Sequence, residues 1–230
     1  MKPPEQIDTT DIRAADGTYT VLVNDGALCT PKGHPVRVLS WELANAMADE
    51  IMAEGALDLQ RLTLYALYAT QRDFIEDRID ATVGAILQHL PGDFELHPDV
   101  DPELAAKQLA AWAPLLAFLR DIGPELPIAR PFQEIQIPWE LTESLRTQLM
   151  AMSPAQLSVV LQAVTNLGSV VLGLLLAKQG LDVEQAVSAL TVTASHVARH
   201  AGEEPEQPEV FAAEMRQTVL KLLRYVRLSA

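Results

Sequence analysis

The residues most suggestive of chemistry are two histidines and two glutamates near the end of the chain. His196 and His200 are four residues apart, so both side chains would lie on one face of a helix. Glu203 and Glu204 follow about one turn later, and two histidines with a carboxylate can ligate zinc. The competing interpretation is that the helix ends at Gly202 and that the histidines interact with its dipole. Because this spacing often arises without a metal, we predict no metal site.

Other sequence patterns that accompany catalysis or cofactor binding are absent. Gly168, Gly173 and Gly180 are dispersed and form no nucleotide-binding loop, and there is no Gly-x-Ser-x-Gly elbow. Cys29 is the single cysteine and has no obvious basic partner, so we predict a small core residue in a strand. The sequence therefore predicts a protein that is not an enzyme and needs no cofactor. An enzyme using His196 and nearby acids is the rival hypothesis.

Trp112 and Arg61 each allow two interpretations. Trp112 begins the run Trp-Ala-Pro-Leu-Leu-Ala-Phe, in which the proline implies a helix kink. The large apolar surface of a tryptophan favours core packing, and contact with a partner is the alternative. Arg61 lies among apolar residues before a predicted helix, where it either anchors a carboxylate inside the fold or faces a partner.

The charge of the chain excludes several kinds of partner. The formal net charge is −14, and an excess of carboxylates repels phosphate groups at every approach. We therefore expect no nucleic-acid partner and no binding to anionic membrane surfaces. The acidity favours solubility and also suits a basic or aggregation-prone partner.

One segment approaches the length of a membrane span. Residues 157–177 contain no charged side chain. Their polar residues recur at three- and four-residue steps and form a single polar stripe. We therefore predict a buried helix and no membrane insertion.

The first part of the chain has the pattern of a small antiparallel sheet. Residues 18–23 alternate threonine with apolar or aromatic residues, and Asn24-Asp25-Gly26 is typical of a tight hairpin turn. Residues 27–30 and 36–39 continue the pattern. We predict a three-stranded meander that must pack on helices, because three strands alone bury little surface.

From Ser40 onwards the apolar period becomes helical. Ser40, Asp101 with Pro102, and Ser153 with Pro154 are residues that commonly begin helices. The predicted helices span residues 40–55, 63–90, 101–121, 139–150, 155–179, 183–200 and 209–227.

These patterns predict an α+β fold class, with a small N-terminal antiparallel β meander followed by a larger all-helical domain. The proline-containing stretch 98–102 is the predicted boundary. It would separate an N-terminal β-rich region with two following helices (residues 1–100) from a C-terminal helical domain (residues 101–230).

Several stretches resemble one known family in their order and spacing. They include Leu28-Cys29-Thr30-Pro31-Lys32-Gly33, Leu39-Ser40 with Leu43-Ala44 and Met47, Pro102-Glu103-Leu104 with Gln108 and Trp112-Ala113-Pro114-Leu115-Leu116, and Gly168-Ser169-Val170-Val171-Leu172 followed by Leu181-Asp182. The chain resembles the Atp-twelve-type assembly chaperones, which protect the unassembled α subunit of the F-type ATP synthase head. The resemblance extends from about residue 17 to residue 223.

The resemblance implies a molecular chaperone that holds a client without ATP or another cofactor. The implied client is the unassembled α subunit. The family's acidic pair falls on Thr193 and Ala194 in this sequence, so a protein-interaction module on the same fold with a different client is the alternative. The predicted partner-binding residues are Glu203, Glu204, Arg61 and Trp112.

The first fifteen residues bear on the compartment. They carry acids and prolines and no apolar stretch, unlike a secretory signal or an Arg-rich transit peptide. We therefore predict a cytoplasmic bacterial protein, since a mitochondrial matrix homologue would need a transit peptide that is not seen here.

Overall fold

The N-terminal sheet has four strands among the described residues, one more than predicted. The computed structural model describes residues 7–55, 61–123, 128–129, 135–201 and 206–230. The strands are β1 (Thr10–Ala15), β2 (Thr18–Val23), β3 (Gly26–Ala27) and β4 (Arg37–Val38). β2 pairs antiparallel with β1 along its whole length, and β3 and β4 also pair with β2. β4 therefore returns to β2 and does not extend the sheet beyond β3.

Two tight turns set the register of this sheet. Asn24 and Asp25 both adopt positive φ between β2 and β3, which confirms the predicted hairpin turn. Asp16 and Gly17 form a similar turn between β1 and β2. The sequence pattern did not reveal β1 because most of its residues are exposed. The prediction that Cys29 is a core residue is wrong, since this side chain is exposed.

Ten α-helices follow in the described part of the chain. They are α1 (Trp41–Glu54), α2 (Leu64–Thr70), α3 (Ile79–Leu87), α4 (Pro102–Ala111), α5 (Ala113–Ile122), α6 (Trp139–Met150), α7 (Pro154–Leu167), α8 (Val170–Ala177), α9 (Val183–Ala201) and α10 (Glu206–Leu228). The fold class is α+β, as predicted. The Ser40 cap and the Ser153–Gln156 capping box are both formed.

Three of the predicted helices are interrupted. The predicted helix 63–90 consists of α2, a π-helical turn (Gln71–Ile75) and α3. The predicted helix 101–121 breaks at Trp112, because Pro114 begins a new helix. The predicted helix 155–179 ends at Gly168, whose φ of 73° closes α7, and α8 starts after Ser169.

A continuous hydrophobic core joins the sheet to the helices. It includes Val21 and Val36 from the sheet region and the whole of α8, all eight residues of which are buried. A Cβ atom at Gly173 would lie 2.8 Å from the Cβ of Ala163, so glycine permits the close packing of α8 on α7. None of the helices in the described part of the chain combines the length and hydropathy that a membrane-spanning segment needs. A division of the chain near residue 100 remains a prediction.

Asp73, in the π-helical turn, holds the loop of residues 30–34 against the helices. Its carboxylate accepts hydrogen bonds from the Thr30 hydroxyl (2.6 Å) and the Lys32 backbone N–H (3.0 Å), and the His34 Nδ1 lies 2.9 Å away. Burial raises the pKa of Asp73, but the bonds from Thr30, His34 and Lys32 outweigh this effect and lower the pKa below its ordinary value. The carboxylate is therefore charged and fully engaged.

Candidate partner-binding surface

The end of the α9–α10 hairpin exposes apolar side chains beside acidic ones. Val197 on α9 and Val210 on α10 are each 53% exposed, and Phe211 is 36% exposed. Glu209 and Glu214 are exposed and have no ion-pair partner among the described residues. These five residues lie on more than one face of the two helices, and together they are called the acidic–apolar surface below. Exposed apolar side chains are a common feature of protein-binding surfaces.

Two depressions lie on different faces of α10. The first, called the α9–α10 pocket, has a volume of about 230 Å³, and its apolar wall is formed by Phe94, Trp112, Leu167, Leu190, Phe211 and Met215. The second is a shallower groove beside Arg61 and Leu62, bordered on α10 by Val210, Glu214 and Lys221. The first half of α10 thus stands between two concave surfaces.

Trp112 lies inside the fold and forms the floor of the α9–α10 pocket. Only 2% of the residue is exposed. Its indole N–H donates to the Ala189 carbonyl oxygen at 3.0 Å, and its ring centroid is 5.5 Å from that of Phe94. Core packing of Trp112 is therefore confirmed. A contact with a partner stays a prediction, and this contact could only be made through the pocket.

Arg61 borders the shallow groove and is mostly exposed. Its guanidinium pairs with the Glu54 carboxylate at the end of α1. The carboxylate it holds is therefore near the surface rather than inside the fold, and its role towards a partner stays a prediction. Glu203 and Glu204 lie outside the described residues, in the sequence between α9 and α10.

His196 and His200 lie beside Glu103 of α4, whereas the two glutamates considered from the sequence are outside the described residues. Donor atoms of these three residues lie within 4.8 Å of one another, so the cluster could hold a metal ion. However, the Lys107 ammonium lies 2.6 Å from Glu103 Oε1 and 3.2 Å from His196 Nδ1. A metal would have to displace this built-in cation. His200 Nδ1 is 3.0 Å from the His196 carbonyl oxygen, to which it donates because a carbonyl only accepts.

A buried carboxyl pair fixes the position of Phe94 in the pocket wall. Asp93 accepts hydrogen bonds from the backbone N–H groups of Val170 (2.9 Å) and Val171 (3.1 Å) at the start of α8. The Ser169 hydroxyl oxygen lies 3.2 Å from Asp93 and 3.0 Å from Glu95. One hydroxyl has a single proton to donate, so both contacts are satisfied when a protonated Glu95 donates to Ser169 and Ser169 donates to Asp93.

The pKa values of this pair agree with that arrangement. Burial raises the pKa of Asp93 to about 6, although the N–H bonds from Val170 and Val171 oppose the rise. Burial, followed by repulsion from Asp93, raises the pKa of Glu95 well above its ordinary value. Glu95 is therefore the member of the pair that keeps its proton.

Glu95→Gln should make the protein less sensitive to rising pH. Folding raises the pKa of Glu95, so the native state keeps a proton that the unfolded chain releases above about pH 4.3. As the pH rises, the wild-type free energy of unfolding should therefore decrease relative to that of the variant, by up to about 1.4 kcal/mol per pH unit. The glutamine amide can replace the donor without titrating. Urea unfolding of both proteins between pH 5 and 8 tests this, and parallel stability curves would contradict it.

The sequence analysis did not identify the exposed apolar residues of the acidic–apolar surface. Val197 and Val210 each lie about one turn from the end of their helix that faces the hairpin loop. They could have been recognised as apolar residues that fall on the polar side of an amphipathic helix, close to acidic residues. Thr193, where the resemblance places one acid of the family's pair, also lines the α9–α10 pocket.

Comparison with known proteins identifies the class of this chain as a chaperone. A family model described as ATP12 chaperone protein matches residues 6–120, half of the chain. The chain belongs to the ATP12 chaperone family. A search of curated protein sequences found no match.

Solved structures share the fold. Atp12 from Paracoccus denitrificans is 22% identical with a TM-score of 0.79, and the alignment covers 100% of this chain and 99% of that one. A mutant form of the same P. denitrificans protein gives the same values. A chaperone candidate from Agrobacterium tumefaciens is 23% identical with a TM-score of 0.80, over 98% of this chain and 86% of that one. These likenesses show the α+β fold.

Proposed function

We propose that this protein is a holding chaperone for assembly of the F-type ATP synthase catalytic head and that its client is the unassembled α subunit. Family membership supports the chaperone class, and the acidic–apolar surface supports binding of another polypeptide. A subunit that awaits its partners exposes interface surface that otherwise aggregates. Reversible binding lowers the free concentration of that surface and needs no catalytic group.

The remaining parts of the proposal follow from the same interpretation. The protein acts without ATP, metal or another cofactor and works in the bacterial cytoplasm. Glu203 and Glu204 contribute polar contacts with the client, since they stand in the sequence between α9 and α10, the two helices that carry the acidic–apolar surface. Arg61 and Trp112 contribute from the two depressions on either side of α10.

The test is an aggregation assay with isolated α subunit. Light scattering should stay near baseline when chaperone is present at a near-equal molar ratio. The Glu203→Lys/Glu204→Lys variant should protect less well, while its melting temperature stays nearly unchanged, because side chains that contact only the client contribute little to the stability of the free chaperone. Glu140→Lys/Glu143→Lys on α6 provides a control with the same change of charge. A large fall in melting temperature would make Glu203 and Glu204 structural residues.

The substitution of the acidic pair by Thr193 and Ala194 favours one alternative, a redirected interaction module with a different client. Co-purification from native extract distinguishes the two. Recovery of the α subunit supports the proposal. Recovery of another protein, together with failure to protect the α subunit, would establish the redirected module.

A further inference from the structure

Glu103, His196 and His200 form one cluster where the start of α4 meets the end of α9. Their donor atoms lie within 4.8 Å of one another. Glu103 and His200 are exposed, whereas His196 is buried. The carboxylate comes from a distant helix, so this cluster differs from the one considered in the sequence.

The contacts of His196 determine which of its nitrogens can bind a cation. The Lys107 ammonium lies 3.2 Å from His196 Nδ1, and an ammonium group can only donate a hydrogen bond. Nδ1 therefore carries a lone pair, and the proton of the neutral ring is on Nε2. The Asp101 carboxylate lies 3.6 Å from Nε2 and favours the same tautomer.

The ring of His200 is held in a similar way. Its Nδ1 donates to the His196 backbone carbonyl oxygen at 3.0 Å, so the lone pair of the neutral ring is on Nε2. Histidines that ligate metals usually donate their other ring N–H to a carboxylate or a backbone carbonyl. Each ring thus has one nitrogen beside an oxygen acceptor and one that can act as a ligand.

The position of Lys107 shows that the cluster attracts positive charge. The ammonium lies 2.6 Å from Glu103 Oε1 and also contacts His196 Nδ1, so it touches two of the three candidate ligands. The Lys107 side chain is partly exposed, and its flexible stem lets the ammonium move into solvent when another cation takes its place. Lys107 is therefore a displaceable competitor for the site.

We propose that this cluster binds a divalent transition-metal ion, with Zn²⁺ as the ion that suits it. The ligands are a carboxylate oxygen of Glu103, Nδ1 of His196 and Nε2 of His200. Zinc prefers such ligands, and one water molecule completes a four-coordinate shell. Ligand atoms around a tetrahedral zinc ion are about 3.3 Å apart, so the three side chains approach one another by up to about 1.5 Å on binding.

The ion takes the place of the Lys107 ammonium and joins α4 to the last turns of α9. It binds to the folded arrangement of two helices that are distant in sequence, so it should stabilise the native state. The client-holding activity proposed above does not require it, and the two proposals can be tested separately.

Zinc titration of metal-free protein tests the site. After treatment with EDTA, wild type should bind ZnCl₂ in isothermal titration calorimetry, and its melting temperature should rise. MgCl₂ should do neither, because Mg²⁺ prefers oxygen ligands. His200→Ala removes an exposed ligand and should raise the Kd for Zn²⁺ at least about tenfold, since even loss of a partner outside the ligand shell costs about 10- to 100-fold. His89→Ala, at an exposed histidine outside the cluster, should leave Kd unchanged.

Lys107→Ala provides a test in the opposite direction. Removing the competing charge should lower the Kd for Zn²⁺ about tenfold, whereas Lys178→Ala, at an exposed lysine outside the cluster, should leave it unchanged. Glu103→Gln, also at an exposed position, should weaken binding. If wild type binds no Zn²⁺, or if His200→Ala and Glu103→Gln bind it as tightly as wild type, the metal site is overturned and the proposed function stands.

Discussion

Asp93→Ala should lower the free energy of unfolding by about 3–5 kcal/mol. The substitution leaves the N–H groups of Val170 and Val171 buried without an acceptor and removes the partner of the Ser169 hydroxyl. The stability of a domain is only about 5–15 kcal/mol, so this loss is a large share of the total. Urea unfolding followed by circular dichroism measures it.

Two further variants separate the hydrogen bonds from the charge. Asp93→Asn keeps one oxygen that can accept from α8 and should therefore be less destabilising than alanine. Asp80→Ala removes an exposed aspartate whose nearest cation, Arg146, is 3.9 Å away, and should change stability by less than about 0.5 kcal/mol. Equal unfolding free energies for Asp93→Ala and Asp80→Ala would show that Asp93 does not hold the start of α8.

Asp73→Ala should cost about 2–4 kcal/mol of stability and release the loop of residues 30–34. The buried carboxylate accepts from Thr30 and Lys32 and contacts His34, so its removal leaves these groups without their partner. The pKa of Asp73 is lowered by folding. This contribution is therefore present above the unfolded pKa of about 3.9 and is lost as the pH falls through the native pKa.

Hydrogen exchange provides the local readout for this variant. The Lys32 amide should exchange faster in Asp73→Ala than in wild type, whereas amides of α9 should lose protection only as far as global stability falls. Asp77→Ala, an exposed aspartate four residues further along, is the matched control. Unchanged protection at Lys32 would show that the loop is held by other contacts.

Local features of this protein could be predicted because they depend on residues close in sequence. Ser40 caps α1 by accepting from the N–H of Leu43, three residues away, and Ser153 and Gln156 cap each other across the same spacing. The Asn24–Asp25 turn is likewise set by the two residues that adopt positive φ. The family resemblance rested on the order of such short motifs, and the family match confirmed it.

The arrangement of the candidate site, in contrast, could not be predicted from the sequence. Arg61 and Trp112 were selected separately, and packing of α10 against α9 and the neighbouring helices places them beside two depressions on different faces of α10. The pocket combines residues from positions 94 to 215, and no local pattern encodes such a juxtaposition. Cys29 was misjudged for a related reason. Alternation indicates which residues share a face of a strand, but tertiary packing decides which face is covered.

The sequence by itself determined the helix caps, the hairpin turn, the α+β class and the acidic character, because each depends on composition or on bonds spanning a few residues. Tertiary structure alone decided that Asp93 is a buried acceptor for α8, 77 residues away, and that the Lys107 ammonium lies between Glu103 and His196. These outcomes depend on which distant groups the fold brings together in its interior. There, an unpaired polar group costs free energy, and burial shifts the pKa of an ionisable one.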